Sequence, residues 1–267
     1  MPHILVAGKI HPSGVDLLKA APDVTFTLVD EVSEPSYAAH AAKADAIVIR
    51  TQPLSAATIA SAPNLKFVSR HGVGYDAVDV TALNNRKIPL AIVGDVNSGS
   101  VAEHAMMLIL AASHRLIRAD QSVRSGNWGW RNRLEASEVA GKRLLIVGYG
   151  RIGRNLARMA LAFGMEVVAH DPYLEKAGWP EGPVRPAPDL KAALASADVV
   201  SLHVPKPEKP VLGVEEIAML KKGAIIINTA RGGLVDEIAL AEALKSGQIG
   251  AIGFDVFDDE PPAASHP

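Results

Sequence analysis

The stretch Leu144-Leu145-Ile146-Val147-Gly148-Tyr149-Gly150-Arg151-Ile152-Gly153 decides how this chain folds. Its four apolar residues read as a short buried strand. Three glycines then lead into a helical pattern running from Ile152 to Phe163. Each glycine has a separate physical role. Gly148 permits the tight turn, Gly150 lets the backbone approach a pyrophosphate, and Gly153 lets helix and strand pack closely. The helix N-terminus adds N–H groups and positive partial charge for phosphates, supported by Arg151 and Ile152 in the first turn. The next strand, Glu166 to Ala169, leads to Asp171, 18 residues beyond Gly153. An acidic residue about 20 positions on is expected to accept hydrogen bonds from the adenosine ribose. Its charge repels a 2′-phosphate, so NAD is predicted over NADP.

Working outward, the chain continues as alternating strands and helices. Strands are predicted over Ala197–Val204, Ala224–Asn228 and Ile249–Phe254, and helices over Val214–Leu220 and Asp236–Ser246, with Asp236 as N-cap. Residues 1–95 repeat this architecture without a sequence repeat. Ile4–Ala7, Val24–Val29, Ala46–Ile49, Leu65–Val68 and Leu90–Val93 read as short strands, with helical stretches through Leu17-Leu18 and over Tyr37–Ala44. Continuous apolar runs alternating with helices argue parallel sheets covered on both faces.

Between the halves, Asp95 to Ser100 reads as a crossover. Ser100 is the expected N-cap of a long helix over Val101–Val123, with Glu103 completing a capping box. Ser125 to Ala140, holding Trp128 and Trp130, shows no clear period and reads either as an arm against a partner subunit or as a loop covering a core edge. The predicted class is therefore α/β, with one domain over residues 1–97 and a doubly wound Rossmann-type domain over residues 98–267.

Composition removes other classes. With 27 basic and 29 acidic side chains the net charge is −2, so no broad footprint for nucleic acid or an acidic membrane is expected. The absence of cysteine excludes disulfides, thiolate metal sites and a cysteine nucleophile; no metal site is expected. The uncharged apolar run Ala105–Ala112 is too short to span a bilayer, and Met1 to Pro12 lacks the pattern of a signal peptide. A soluble, cytoplasmic protein is expected.

Four further segments carry a resemblance: Arg70-His71-Gly72-Val73-Gly74-Tyr75-Asp76-Ala77-Val78-Asp79, Ser100-Val101-Ala102-Glu103-His104, Asn228-Thr229-Ala230-Arg231-Gly232-Gly233-Leu234-Val235-Asp236-Glu237, and Asp255-Val256-Phe257-Asp258-Asp259-Glu260-Pro261-Pro262. With the glycine loop, and in this order, they resemble the D-isomer-specific 2-hydroxyacid dehydrogenases, the group that includes D-3-phosphoglycerate dehydrogenase. The resemblance implies a flavodoxin-like substrate domain and an inserted NAD domain sharing a cleft, a homodimer, and hydride transfer between nicotinamide and C2 of a small 2-hydroxy or 2-oxo acid. It implies that backbone N–H groups around Val73 and Gly74 receive the substrate carboxylate, and that Arg231 holds that carboxylate and the carbonyl oxygen through its planar fork. Glu260 would orient a catalytic histidine and favour its protonated form. Asp255, Thr229 and Ala230 would lie by the nicotinamide and its ribose, and Val204 would face the cofactor.

The family's histidine stands in a Pro-His segment beyond the glutamate, whereas this sequence reaches Pro267 seven residues after Glu260. The expectation is a truncated chain whose histidine and closing substrate-domain segment lie further on. His266, in Ser265-His266-Pro267, resembles the turn before the next helix rather than the catalytic segment. His71 and His104 could approach the cleft, and His203 is expected to be a hydrogen-bonded core residue. The alternative function is an NAD-sensing binding or scaffold protein of the same fold. A formate-dehydrogenase-like reading is disfavoured, because Glu260 stands where those relatives carry an uncharged side chain. Arg50 and Arg70, at strand ends, are candidates for a substrate phosphate or for ordinary ion pairs.

Overall fold

The computed structural model describes residues 1–31 and 33–266. Pro267, the last residue of the Ser265-His266-Pro267 turn, lies outside them. The chain divides into two compact units, Met1–Val96 and Asn97–Pro267.

The first unit runs β1 (His3–Ala7), α1 (Pro12–Ala20), β2 (Thr25–Val29), α2 (Glu34–Ala41), β3 (Ala46–Ile49), α3 (Ala56–Ala60), β4 (Phe67–Arg70), α4 (Val80–Asn85) and β5 (Leu90–Ile92). Its five strands are all parallel, in the order β2-β1-β3-β4-β5, which is the flavodoxin-like winding. Leu5, Ile47, Ile49 and Val68 are fully or almost fully buried from the strands, and Tyr37, Ile59 and Leu83 close the core from the helices. Burying each such side chain stabilises the unit by about 1.5–3 kcal/mol. The short helices begin where side chains satisfy their first amides: Ser55 accepts from Thr58 N, and Asp79 from Ala82 N.

The second unit runs α5 (Ser98–Ser113), α6 (Leu116–Arg124), a 3-10 turn (Trp128–Arg133), β6 (Arg143–Val147), α7 (Arg151–Ala162), β7 (Glu166–His170), α8 (Pro172–Ala177), β8 (Arg185–Pro186), α9 (Leu190–Ser196), β9 (Val199–Leu202), α10 (Val214–Met219), β10 (Ala224–Asn228), α11 (Glu237–Ser246) and β11 (Ile249–Phe254). The parallel strands lie in the order β11-β10-β9-β6-β7-β8. Counted from β6, this is 6-5-4-1-2-3, the Rossmann arrangement of two mononucleotide-binding halves. Alternation along β6 explains the two covered faces. Leu144 and Ile146 pack with Ala105, Ile109, Leu156 and Ala160 of α5 and α7. Leu145 and Val147 pack with Leu194, Ile217 and Leu240 of α9, α10 and α11. Every residue of β9 and β10 is buried, as expected for central parallel strands.

Several local expectations are corrected. Ser100 is not the N-cap: α5 begins at Ser98 behind Asn97, with no side-chain cap bond. A tertiary contact accounts for the earlier start, since the buried Ser98 hydroxyl accepts a 3.1 Å bond from Asn155 of α7. The predicted long helix over residues 101–123 is two helices, broken at Arg115, which has a left-handed φ of 53°. The Arg115 guanidinium donates to Gly250 O at 2.6 Å, tying the break to the next strand edge. The strand predicted over residues 197–204 is confined to β9, because Ala197 ends α9 and the Asp198 carboxylate accepts from Arg143 N. Among the described residues no helix is long and apolar enough to cross a membrane, and no cluster of His, Asp or Glu could hold a metal ion.

Glu34, half-buried at the start of α2, accepts from Ser55 N at 2.9 Å and from the Ser55 and Thr58 hydroxyls. Burial opposes its ionisation, but the bonds from Thr58 and Ser55 outweigh it and hold the carboxyl below its usual value. The folded carboxylate therefore contributes stability that is complete above the ordinary value of 4.5 and is lost as pH falls through the lower folded value. Glu34→Gln is expected to cost about 1–2 kcal/mol at neutral pH. Urea unfolding should also show a shallower loss of stability below pH 4.5 in the variant than in the parent.

Candidate functional site

In the second unit the winding reverses between β6 and β9, and their carboxyl ends open the crevice that open α/β sheets use for ligands. The chain leaves β6 at Gly148 with φ +95°. A methyl group there would lie 2.5 Å from His203 O and 2.8 Å from Val204 Cγ1, so the two strand ends meet only because the residue is glycine. A methyl at Gly153 would stand 2.3 Å from Gly148 O and 3.0 Å from Ile146 Cγ2. At Gly150 it would meet no atom within 4 Å. The glycine turn is thus closed toward the protein and open at Gly150, where α7 begins without a side-chain cap. An open approach to an uncapped helix start fits a pyrophosphate.

β7 runs one residue further than predicted, to His170, and Asp171 is the N-cap of α8, with Pro172 following. One carboxylate oxygen accepts from Tyr173 N and Leu174 N, each at 3.1 Å, and the other from Tyr149 N at 2.9 Å. An ionised carboxylate offers about four acceptor positions, so three amides fix its orientation and leave capacity for a ribose hydroxyl. The Tyr149 ring stacks on Trp179, with centroids 5.2 Å apart and planes within 5°. Arg154 lies over the same ring at 5.6 Å and donates to Tyr149 O. Sequence reasoning misses this pinning of the glycine turn, because Trp179 lies in a segment with no periodic signal.

On the other side of the crevice, the ends of β9, β10 and β11 carry the remaining candidates. His203 bonds Ser201 Oγ through Nε2 at 2.8 Å, as expected of a core histidine, yet its Nδ1 is buried without a hydrogen-bond partner. The Thr229 hydroxyl is likewise buried and unpartnered. Burial pushes the His203 imidazole down to about 4, so it is neutral at physiological pH. Asn228 organises the next turn by accepting from Ala230 N at 3.1 Å and donating to Arg231 O at 2.8 Å. Arg231 is half-buried, and its guanidinium donates to Ala230 O at 2.6 Å. Asp255 N bonds Asn228 O, and the exposed Asp255 carboxylate lies 3.7 Å from His104 Nε2. Glu260, exposed, accepts from Phe257 N at 3.0 Å.

Gly148, Gly150, Arg151, Ile152, Gly153, Asp171, Val204, Thr229, Ala230, Arg231, Asp255 and Glu260 therefore all follow strands of one sheet at its carboxyl edge. Val73 and Gly74 belong to the first unit, in the loop after β4, where Val73 is exposed. Arg70 ends β4 and donates to His71 O; Arg50 follows β3 and donates to Lys9 O. His266 meets Glu237 at 2.7 Å rather than Glu260.

A doubly wound sheet with an open glycine turn and an oriented carboxylate after its second strand defines a dinucleotide-binding fold. Residues 106–267 match the family model described as D-isomer specific 2-hydroxyacid dehydrogenase, NAD binding domain. The chain belongs to that family, and its cofactor is NAD. It is 38% identical over 265 residues to a D-3-phosphoglycerate dehydrogenase of Methanocaldococcus jannaschii, covering 98% of this chain and 50% of that protein. The chain thus spans about half the length of the curated relatives it matches. The TT0316 protein from Thermus thermophilus superposes with a TM-score of 0.90 at 32% identity, over 99% of this chain and 85% of that one. A D-lactate dehydrogenase from Aquifex aeolicus, complexed with NAD and lactic acid, gives 0.84 at 29% identity, over 96% and 78%.

Gly150→Ala should leave the melting temperature unchanged while weakening NADH binding by about tenfold or more in titration calorimetry. Gly153→Ala, whose methyl meets backbone, should lower the melting temperature as well. The His203 ring should stay neutral in NMR titrations down to pH about 4. Because the unfolded chain takes up that proton near 6.5 and the folded chain refuses it, His203 makes the protein lose stability on acidification between those values.

Proposed function

We propose that this chain is the catalytic portion of an NAD-dependent dehydrogenase that interconverts a D-2-hydroxy acid and its 2-oxo acid. The observation that carries the reading is that Arg231 and Glu260 stand on the same sheet edge as the glycine turn and Asp171. When bound, NAD accepts or supplies the hydride. The protein's residues do the rest. Asp171 holds the adenosine ribose and disfavours a 2′-phosphate, and the first turn of α7, with Arg151 and Ile152, faces the pyrophosphate. Val204, Thr229, Ala230 and Asp255 flank the nicotinamide end. Arg231 offers two parallel donors to the substrate carboxylate and the C2 oxygen, where negative charge grows as hydride arrives. In the first unit, the amides around Val73 and Gly74 are the proposed receivers of a substrate carboxylate. Glu260 orients and charges a histidine proton donor; His266, engaged by Glu237, is not given that role.

A phosphorylated three-carbon acid is the proposed substrate class, on the names of the curated relatives and on Arg50 and Arg70 at strand ends of the first unit. A dehydrogenase drawing on NAD works where that cofactor is held, so the cytoplasm is the proposed compartment.

The proposed assembly is a homodimer. Met106, Met107, Leu110, Leu116, Met159 and Phe163 line an apolar groove of about 540 Å³, and Trp128, in the 3-10 turn that follows α6 in the chain, is 66% exposed. Apolar surface of this kind on a globular domain is ordinarily covered. Met107→Glu should shift the sedimentation coefficient from dimer to monomer; an unchanged dimer would remove this face as the interface.

The function is tested by assaying the full-length protein with NADH against a panel of 2-oxo acids. Turnover is expected, and Arg231→Ala should lower kcat/KM by about 10²-fold or more. Tight NADH binding with no turnover on any acid would favour a cofactor-sensing protein instead. Asp171→Ala should weaken NADH by about tenfold and narrow its advantage over NADPH.

A further inference from the structure

We propose that Glu237 is a positioning residue, whose carboxylate clamps the loop carrying Glu260 onto the turn carrying Arg231. The inference rests on the dehydrogenase reading above.

Glu237 is the first residue of α11, behind the N-cap Asp236. A glutamate at a helix start ordinarily lies in solvent and interacts only with the helix dipole. This one is 14% exposed, and both its oxygens are taken by a distant segment. Oε1 accepts from Asp258 N at 2.9 Å, and Oε2 lies 2.7 Å from His266 Nε2. The His266 ring in turn meets Phe257 edge-on at 5.4 Å.

The segments so joined carry Arg231, assigned to the substrate acid, and Glu260, assigned to the proton donor. A methyl at Gly232, next to Arg231, would stand 1.9 Å from Phe257 O, so the turn and the loop touch backbone to backbone. The amide of that same Phe257 holds the Glu260 carboxylate. Lys206 adds a third loop, from β9, through a 2.9 Å bond to Asp258 Oδ1. The positions of Arg231 and Glu260 are therefore linked through Gly232, Phe257 and Asp258. Glu237 is the partly sequestered carboxylate that closes this linkage from the helix side. Misplacement of a catalytic group by about 1 Å can cost about 10²-fold in rate, so a clamp acting on geometry alone has kinetic consequences.

Two substitutions separate reach from charge. Glu237→Gln keeps the length and an acceptor for Asp258 N but loses the charge. Glu237→Asp keeps the charge at the helix start but falls a methylene short of the loop. If Glu237 positions the loop, the Asp variant should lose about tenfold in kcat with NADH affinity unchanged, and the Gln variant should stay near the parent. Hydrogen exchange in the full-length protein should quicken at Phe257 and Asp258 in the Asp variant and not in the Gln variant. If Glu237 serves only the helix dipole, the ranking reverses and exchange quickens along α11; that result overturns the proposal. Unchanged kcat and unchanged exchange in the Asp variant overturn it equally. Should the parent reduce no 2-oxo acid, the dehydrogenase reading fails by itself. Exchange at Phe257 and Asp258 then decides the clamp alone: quickening in the Asp variant only upholds it, and any other pattern overturns it.

Discussion

The backbone contact between Gly148 and the carbonyl of His203 is the constraint on which the rest of the second unit depends. At a topological switch point two neighbouring strands send their chains to opposite faces of the sheet, and a crevice opens between their ends. How narrow that crevice is depends on how closely the two exits approach. A side chain at Gly148 would collide with His203 O and Val204 and force them apart. Gly153 adds the second restriction by letting α7 sit on the turn itself, so the helix start is brought to the crevice floor. Only Gly150 faces open space, and this single opening gives the site its direction.

Around that turn, polar side chains are oriented mainly by backbone amides rather than by opposite charges. Asp171 is held by three N–H groups, and Asn228 by one N–H and one carbonyl. Backbone groups in regular structure move little, so these side chains are set before any ligand arrives, which lowers the ordering cost of binding. Preorganisation also explains why buried orphan atoms are tolerated. His203 Nδ1 and the Thr229 hydroxyl belong to positions adjacent across paired strands, since Leu202 pairs with Asn228. Leaving such groups unsatisfied costs stability, and sites that bind or catalyse are where that cost is usually found.

The sequence makes some elements legible and not others, for identifiable reasons. β10 and β11 have the predicted limits, because continuous apolar runs are bounded by turn residues and no competing period exists. Asp236 caps α11 as read, since one strong cap stands directly before the helical pattern. The start of α5 is ambiguous in sequence because Asn97, Ser98 and Ser100 are all capable caps; Asn155, remote in sequence, decides among them. The break at Arg115 likewise depends on Gly250, far along the chain. Asp171 is readable as a cap from Pro172, but its spacing from the glycines points to the ribose alone. It has acceptor positions for both. The Glu237 contacts have no local signal, because they join residues 21 and 29 positions apart.

The same steric device recurs in the first unit. There the winding reverses between β1 and β3, and the chain leaves β1 at Gly8 with φ +100°. A methyl at Gly8 would lie 2.6 Å from Gln52 Oε1 and 2.9 Å from Arg50 Cβ. Gln52 is buried and donates to Glu31 O, so it cannot swing away without breaking that bond. Each sheet thus has one glycine that draws two diverging strand ends together. The chemistry gathered there differs. The second unit presents an uncapped helix start and a carboxylate, suited to a nucleotide. The first presents Arg50 after β3, Arg70 at the end of β4 and His71 beyond it, with no matching helix-start glycine turn among the described residues. Cationic fork donors of this kind suit a small anion. The two sheets are therefore built on one steric principle and differ in the groups that their strand ends present.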